Sequence, residues 1–454
     1  MPVLILGAAR QGLALARYLA GQGALVSIND RQTNDQLQRA MSSLSYLSIN
    51  WITGGHPLTA LAGIQRVFLS GGVPLDNPIV VQANAAGIPV SNDTQVFLEA
   101  VPAPVIGITG SAGKTTTTTL VGRMAKLVAG SDRAAWIGGN IGNPLITDLS
   151  KMQPSDLVVL ELSSFQLEQL TISPAIGAVL NITPNHLDRH GSMADYTAAK
   201  ARILRFQSAQ DTAILNRDDP GSIALSTICR GQLMTFGMQR SAAANRQTFI
   251  SNHRVYFSDQ KSALALVDVA DIQLRGEHNI MNVLAACAIA VAAGWDQAAI
   301  RAGVVDFTGV PHRLQFVRDY RGAKWYNDSI ATAPERSMAA LRSFTEPIIL
   351  LAGGRDKDLP WQDFARLAHQ RVTHIILFGE AGPKIQAALE SEKTDSAIKT
   401  LDVTARLEEA VEKAASYAQT GYVVLLSPGG TSFDEFLDFE KRGEAFTQWV
   451  QQLS

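Results

Sequence analysis

The sequence predicts an α/β protein of three consecutive domains, and three observations predict it. Short apolar runs alternate with helical stretches along the chain, as in repeated βαβ units. A Pro-rich joint, Val101-Pro102-Ala103-Pro104, interrupts the first block, and proline neither donates to a ladder nor lets its predecessor stay helical. The same alternation then restarts at Val105 and again after Phe307. The expected architecture is a Rossmann-like N-terminal domain (1–101), a central P-loop ATPase-type domain (102–307) and a C-terminal Rossmann-like α/β domain (308–454). In the first block, Val3–Leu6, Leu25–Ile28, Arg66–Leu69, Ile79–Val81 and Ile88–Val90 read as buried parallel strands. The middle block offers Val105–Ile108, Leu157–Leu162, Ile176–Ile182 and Ala213–Asn216. It adds a hairpin of 247–250 and 254–258 around Asn252-His253, and a long helix over 278–293. The third block offers strands at 325–327, 348–352, 374–378 and 422–427, with helices near 334–343, 380–390, 404–419 and 432–450.

Composition narrows the function classes. The chain has 454 residues, with 39 Lys+Arg against 41 Asp+Glu and no basic run longer than Lys441-Arg442. That balance argues against a nucleic-acid or membrane-surface partner held by bulk charge. No apolar stretch reaches the roughly 18 residues of a membrane span. The start, MPVLILGAAR, lacks a basic n-region and reads as a first strand. Two cysteines, Cys229 and Cys287, make neither a disulfide framework nor a metal knuckle, which suits a reducing compartment.

The chemistry concentrates around Gly107-Ile108-Thr109-Gly110-Ser111-Ala112-Gly113-Lys114-Thr115-Thr116, which follows a strand and opens a helix. Gly110 and Gly113 let backbone N–H groups turn toward phosphate, and the helix N-terminus adds partial positive charge. Lys114 would bridge the outer phosphates and the Thr115 hydroxyl would ligate Mg²⁺. Gly107 precedes Gly113 by six positions where the standard pattern has five. Alone, such a loop leaves ATPase, GTPase and kinase open.

Downstream, Glu161 ends an apolar strand, where ligands of a doubly wound sheet sit, and offers a hard oxygen for Mg²⁺. Glu168, on the following helix, is expected to face solvent. His186 and Asp188 follow the next strand and suit a second metal or a substrate, although each alone reads as an ordinary loop residue. Lys200 alone reads as a solvated helix lysine. Asn279 and Asn282 share the first turn of the long helix, fit either for capping or for a purine edge or phosphate.

Taken in order, Gly110–Thr115, Leu160–Glu168, Asn185–His190, Glu277–Asn282, Pro311-His312-Arg313, Asn327-Asp328-Ser329 and Leu425–Phe436 resemble the Mur ligase family over nearly the whole chain, from Gly7 to Gly443. Within the family, Leu160–Glu168 and Leu425–Phe436 look like members that add D-glutamate to UDP-N-acetylmuramoyl-L-alanine. The resemblance implies an ATP-dependent amide ligase of peptidoglycan precursor synthesis, acting through an acyl phosphate, cytoplasmic and monomeric. It implies ATP and two Mg²⁺ as cofactors. Thr115 and Glu161 would hold one ion, with His186 and a carbamylated Lys200 on the other. Lys114, Glu161, His186 and Lys200 would form the catalytic set. Gly110, Ser111, Ala112, Gly113, Thr115 and Thr116 would cradle the nucleotide, with Asn279, Asn282, Arg313 and Asp328 at adenine, phosphate and ribose and His312 beside them. Asn140 would meet the UDP-linked substrate or the γ-phosphate, and Ser163 the UDP-linked substrate.

The resemblance also gives the first block a meaning. Gly7-Ala8-Ala9-Arg10-Gln11-Gly12 looks like a dinucleotide fingerprint, yet Ala9 replaces the middle glycine and impairs close approach to NAD. Instead, Arg10, Gln11 and Asp30 would lie near uracil, and Ser70, Gly71 and Gly72 near the diphosphate. In the third block Thr332, Lys357, Ser432 and Phe439 match positions around the incoming glutamate, although Phe433, Phe436 and Phe439 recur every three residues as core would. Ile330 stands where many relatives carry lysine and Ala333 where asparagine is common, which leaves the glutamate enantiomer open. Three other readings remain: another family member (a ligase for L-glutamate or another amino acid, or a folylpolyglutamate synthase, against which residues 1–100 count), a nucleotide-dependent switch, and an NAD oxidoreductase. The set Glu161, His186 and Lys200 disfavours the switch, and Ala9 the oxidoreductase.

Overall fold

The computed structural model describes residues 1–274, 276–392 and 395–454; the side chain of Asp188 lies outside that description, as do Arg275, Lys393 and Thr394. Three sheets carry the described chain. The first has strands β1 (Pro2–Leu6), β2 (Leu25–Asn29), β3 (Ile49–Ile52), β4 (Arg66–Leu69) and β5 (Val90–Asn92). They are all parallel in the order β3-β2-β1-β4-β5. The strand order reverses at β1, so a crevice opens beyond the carboxyl ends of β1 and β4.

The second sheet comprises β6 (Val105–Thr109), β7 (Ala135–Gly139), β8 (Leu157–Glu161), β9 (Ile176–Val179), β10 (Thr212–Asn216), β11 (Gln232–Phe236), β12 (Gln247–Ser251), β13 (Arg254–Ser258) and β14 (Ala263–Asp268). Its order is β14-β13-β12-β11-β10-β9-β6-β8-β7. The expected hairpin is present: β12 and β13 pair antiparallel, with Asn252 and His253 both at positive φ, the geometry of a two-residue turn that matches strand twist. The third sheet holds β15 (Gln315–Tyr320), β16 (Ala323–Asn327), β17 (Ile348–Gly353), β18 (Val372–Phe378), β19 (Thr400–Thr404) and β20 (Val423–Gly429), in the order β15-β16-β20-β17-β18-β19.

Residues 1–307 form one compact unit and 308–454 a second. In the first unit, β1 and β4 residues such as Ile5 and Phe68 share a core with Val105 and Val158 of the second sheet. Ala103 and Val105 are buried in it, so the Pro-rich joint is packed into the unit. In the second unit the third sheet is covered on both faces. Leu350 and Ala352 of β17 join a core on one side, and Ile349 and Leu351 a core on the other, as strand alternation requires.

Two expected elements are corrected. Residues 79–81 are helical, within Pro78–Ala85: the Asn77 side chain accepts from Ile79 N–H at 2.9 Å and Pro78 occupies the first turn, so cap and proline override β-branched propensity. The last helix begins at Phe439, not near 432. Residues 433–437 fold as turns, and Asp438 caps the helix by accepting from Lys441 N–H.

Candidate active site

The phosphate loop leaves β6 and enters the helix Lys114–Ala129 through Gly113, whose φ of 83° is left-handed. A Cβ there would strike the Asn282 side-chain oxygen, so only glycine fits. The neighbouring strand end shapes the loop. Asn181 Oδ1 accepts from Ala112 N–H at 2.8 Å, and its Nδ2 donates back to the Ala112 carbonyl at 3.1 Å. The Ser111 hydroxyl donates to the Thr183 carbonyl at 2.9 Å and lies 3.0 Å from the Tyr196 hydroxyl.

Two lysines converge on this loop. Lys114 Nζ donates to the Gly110 carbonyl at 2.8 Å, and Lys200 Nζ donates to the same oxygen at 3.0 Å and to Thr109 Oγ1 at 3.3 Å. Lys200 is 1% exposed, on the inner face of the helix Met193–Arg205, so it is not the solvated lysine that its helical position alone suggests. Burial, and then the charge of Lys114, bring its ammonium down to about 7.

Glu161 closes β8 beside Ile108 of β6. Its carboxylate is buried; Oε1 accepts from Asn140 Nδ2 at 2.8 Å, while Oε2 has no hydrogen-bond partner among the described residues. A buried carboxylate oxygen without a donor fits a cation. Thr115 is half-buried in the first helical turn and Thr116 is buried. Among the described residues no three His, Cys, Asp or Glu side chains form a metal cage. Any metal here would therefore draw ligands from hydroxyl, substrate or modified groups besides Glu161.

His186 has a φ of 53° and starts the single turn Leu187–His190; its ring lies 5.2 Å from that of Phe165. Ser163 caps the short helix Ser164–Leu167 in a reciprocal box with Gln166. Glu168 does not face solvent: it is 2.8 Å from His190 Nδ1 at a side-chain exposure of 14%, because the turn 187–190 folds back over it. Its burial raises its pKa, and burial lowers that of His190.

A cleft of about 250 Å³ adjoins the loop, lined by Ala112, Gly113, Leu180, Asn181, Asn216, Phe236, His278, Met281 and Asn282. Apolar walls from Leu180, Phe236 and Met281 with amides from three asparagines suit a flat heterocycle. Asn282 Nδ2 donates to Asn279 Oδ1 at 3.0 Å, which places both expected amides together.

In the first sheet, Asp30 lies just past β2 and accepts from Ala8 N–H at 2.8 Å and Gln32 N–H at 2.9 Å. Gly7 lies against Ser70, where a Cβ would come within 2.9 Å of the serine Cβ, and Gly71 lies against Gln11. Arg10 and Gly72 are exposed. Arg189 donates to the Gly71 and Val73 carbonyls at 3.3 and 2.6 Å, joining this crevice to the turn Leu187–His190.

The second unit gathers its own polar cluster beyond β16 and β20. Asp328 is buried, accepting from Ser427 Oγ at 2.8 Å and Leu314 N–H at 3.2 Å, and burial pushes its carboxyl up to about 7. Asn327 donates to the Gly443 carbonyl at 2.8 Å. Arg442, 1% exposed, donates to Ser329, Gly430 and Thr431 at 2.8–3.1 Å. Ser432 is buried, Thr332 and Arg313 are half-buried, and Lys357 is exposed. Phe439 is half-buried beside the His312 ring at 6.3 Å; Phe433 is 59% exposed, so the three phenylalanines are not one core stripe.

Models of three family segments match this chain in order: the Mur ligase MurD-like N-terminal domain over residues 1–92, the Mur ligase middle domain over 108–290, and the Mur ligase glutamate ligase domain over 312–430. A UDP-N-acetylmuramoylalanine–D-glutamate ligase of Symbiobacterium thermophilum is 39% identical over 450 residues, covering 99% of this chain and 98% of its own. The chain belongs to the Mur ligase family. A second Mur ligase of the same description, from Acetivibrio thermocellus, is 37% identical over 455 residues, covering 99% and 96%. The fold agrees with solved Mur ligases. A UDP-N-acetylmuramate-alanine ligase from Thermotoga maritima superposes with a TM-score of 0.57 at 19% identity, covering 99% of each chain. A pseudomurein peptide ligase type C from Methanothermus fervidus gives 0.55 at 18%, also covering 99% of each.

In this Mur ligase Asn181, Asn216, Phe236 and Met281 of the cleft, and Arg189 and Arg442, are site residues that no sequence motif singles out. Asn181 and Asn216 carried a signal: each is a polar residue at or just past the carboxyl end of an apolar strand.

Proposed function

We propose that this chain is an ATP-dependent ligase joining D-glutamate to UDP-N-acetylmuramoyl-L-alanine in peptidoglycan precursor synthesis. The observation that carries the reading is the convergence of Lys114 and Lys200 on one loop carbonyl, at the carboxyl end of the strand that pairs with the strand ending in Glu161. Both reactants are anions, a polyphosphate and a carboxylate, and the Lys114 ammonium at a helix N-terminus, together with bound Mg²⁺, would offset their repulsion. The full-length relatives named for D-glutamate addition support the choice of acid and amine.

In this reading Lys114 and the N-terminus of helix 114–129 hold the outer phosphates, and the cleft beside Asn282 holds the base, with Asn279, Arg313 and Asp328 also serving the nucleotide. Thr115 and Glu161 would hold one Mg²⁺, and His186 with Lys200 a second; bound ions supply Lewis-acid charge neutralisation. The γ-phosphoryl group passes to a carboxylate oxygen of the UDP-linked acid and ADP leaves, giving an acyl phosphate. The neutral glutamate amine attacks the acyl carbon, and the tetrahedral adduct loses a proton and expels phosphate. With its ammonium brought down to about 7, Lys200 exists partly as a free amine at neutral pH. That amine adds CO₂ and releases a proton, becoming an anionic oxygen ligand.

Residues 1–101 would take the uridine diphosphate through Arg10, Gln11, Asp30 and Ser70–Gly72, and residues 102–307 the ATP, with Asn140 and Ser163 on the acyl end. Residues 308–454 would take glutamate, Lys357 meeting its carboxylate and Thr332, Ser432 and Phe439 enclosing it. A cytoplasmic monomer suits substrates made there. The test is phosphate release with ATP, UDP-N-acetylmuramoyl-L-alanine and each glutamate enantiomer. Product with D-glutamate alone supports the proposal. Product with L-glutamate alone overturns the stereochemical assignment and points to Ile330, and ATP hydrolysis without ligated product overturns the ligase.

A further inference from the structure

One buried array is not used by the mechanism above. His190 Nδ1 lies 2.8 Å from Glu168 Oε1, and its Nε2 lies 2.9 Å from Ser164 Oγ. Its ring stacks on Phe165 at 5.1 Å with an interplanar angle of 5°, and meets Tyr196 edge-on at 5.2 Å. The carboxylate accepts, so Nδ1 carries the proton and the neutral ring's Nε2 accepts from the serine hydroxyl. Acid, imidazole and hydroxyl are thus in line as in a hydrolytic triad. Ser164 is only 3% exposed, however, so its hydroxyl is sealed from any acyl group. The array therefore does mechanical work.

We infer that Glu168, His190 and Ser164 form a positioning array that fixes the single turn 187–190, and through it His186 and Arg189. The turn is too short to hold itself, since one hydrogen-bonded turn is a costly nucleus. Its backbone closes on His186: Arg189 and His190 N–H groups donate to the His186 carbonyl at 3.1 and 3.0 Å, with His186 held at left-handed φ. Arg189 lies over the Phe165 ring at 4.2 Å and reaches the carbonyls of Gly71 and Val73. One end of the turn thus presents an imidazole for a metal and the other a clamp on the loop after β4. His190 is the anchor between them. Partners of this kind orient metal-ligating groups, and their loss typically weakens metal affinity by about 10–100-fold. His190 touches no reacting atom and is a positioning residue.

Because the array is assigned on the ligase reading, its test includes measurements that need no acceptor substrate. Mn²⁺ is titrated into the full chain with a non-hydrolysable ATP analogue and followed by electron paramagnetic resonance. Amide exchange over 186–191 is measured alongside. His190→Phe keeps the stacked ring and loses both hydrogen bonds. It is expected to weaken Mn²⁺ binding about tenfold and to speed exchange over the turn. In assay it should raise KM for the UDP-linked acid about tenfold, with KM for ATP within about twofold. Glu168→Gln keeps an acceptor for Nδ1–H and should stay within about threefold of wild type. Should His190→Phe fail to fold, Ser164→Ala removes only the Nε2 partner and should move Mn²⁺ binding and exchange in the same direction, about threefold. Wild-type Mn²⁺ affinity and exchange in either folded variant overturns the inference, as does an equal rise in both KM values. A wild-type chain that makes no amide product would instead sink the ligase reading and leave the Mn²⁺ and exchange measurements to decide this one.

Discussion

Two glycine-rich turns in this protein leave a parallel strand and open a helix, one after β1 and one after β6, yet they are built for different company. The turn after β1 is satisfied from within: Asp30 accepts two backbone N–H groups, and Gly7 and Gly71 lie against Ser70 and Gln11. The turn after β6 is surrounded by unfinished chemistry, with two lysines on one carbonyl and a buried carboxylate oxygen lacking a donor among the described residues. Glycine spacing makes room for a ligand's phosphates. What surrounds the glycines decides whether the ligand is merely held or also reacts.

That contrast can be broken by mutation, and the largest effect belongs to the second turn. Lys114→Ala should lower kcat for amide formation by at least about 10²–10³-fold, as loss of a transition-state charge partner does. Arg10→Ala at the first turn should change mainly KM for the UDP-linked acid. Steady-state assays of both variants check the difference; a kcat loss at Arg10 matching that at Lys114 would erase it. Next comes Lys200. With a pKa of about 7, its free amine grows as pH rises through 7 and falls about tenfold per unit well below it. Activity in CO₂-depleted buffer should therefore drop, recover with bicarbonate, and recover less at pH 6 than at pH 8. Indifference to CO₂ would remove the carbamate.

Smaller effects are expected on stability. Gly113→Ala forces a Cβ into the Asn282 oxygen at left-handed φ and should cost about 1–3 kcal/mol, read by urea unfolding. Asp30→Ala leaves two part-exposed N–H groups to water and should cost only about 1 kcal/mol. An Asp30→Ala cost exceeding that of Gly113→Ala would reverse the ranking of the two turns.

Much of the fold was legible because parallel strands buried on both faces are continuous apolar runs. The strands that escaped notice tell why. β3, β7, β14, β15 and β19 all lie at sheet edges, where one side meets solvent and the apolar run breaks up, as in Thr400–Thr404. β11 is the interior exception, and its first two residues are exposed. At the site, the loop residues and Glu161 were readable from local pattern. Lys200 was not: a helical lysine's burial depends on what packs over it, here the Tyr196 ring and the loop carbonyl. Glu168 was misplaced for the same reason, since its cover arrives from His190, far along the chain. The resemblance supplied what local pattern lacked for Lys200, and it spanned His190 without giving that residue a role.

Arg442 has a consequence for how the second unit loosens. The loops leaving β16 and β20 are tied off by a guanidinium, and by the Gly443 carbonyl, from the helix Phe439–Gln452. Fraying of that one helix would release both loops together, so the polar cluster of the second unit is kept or lost as a whole.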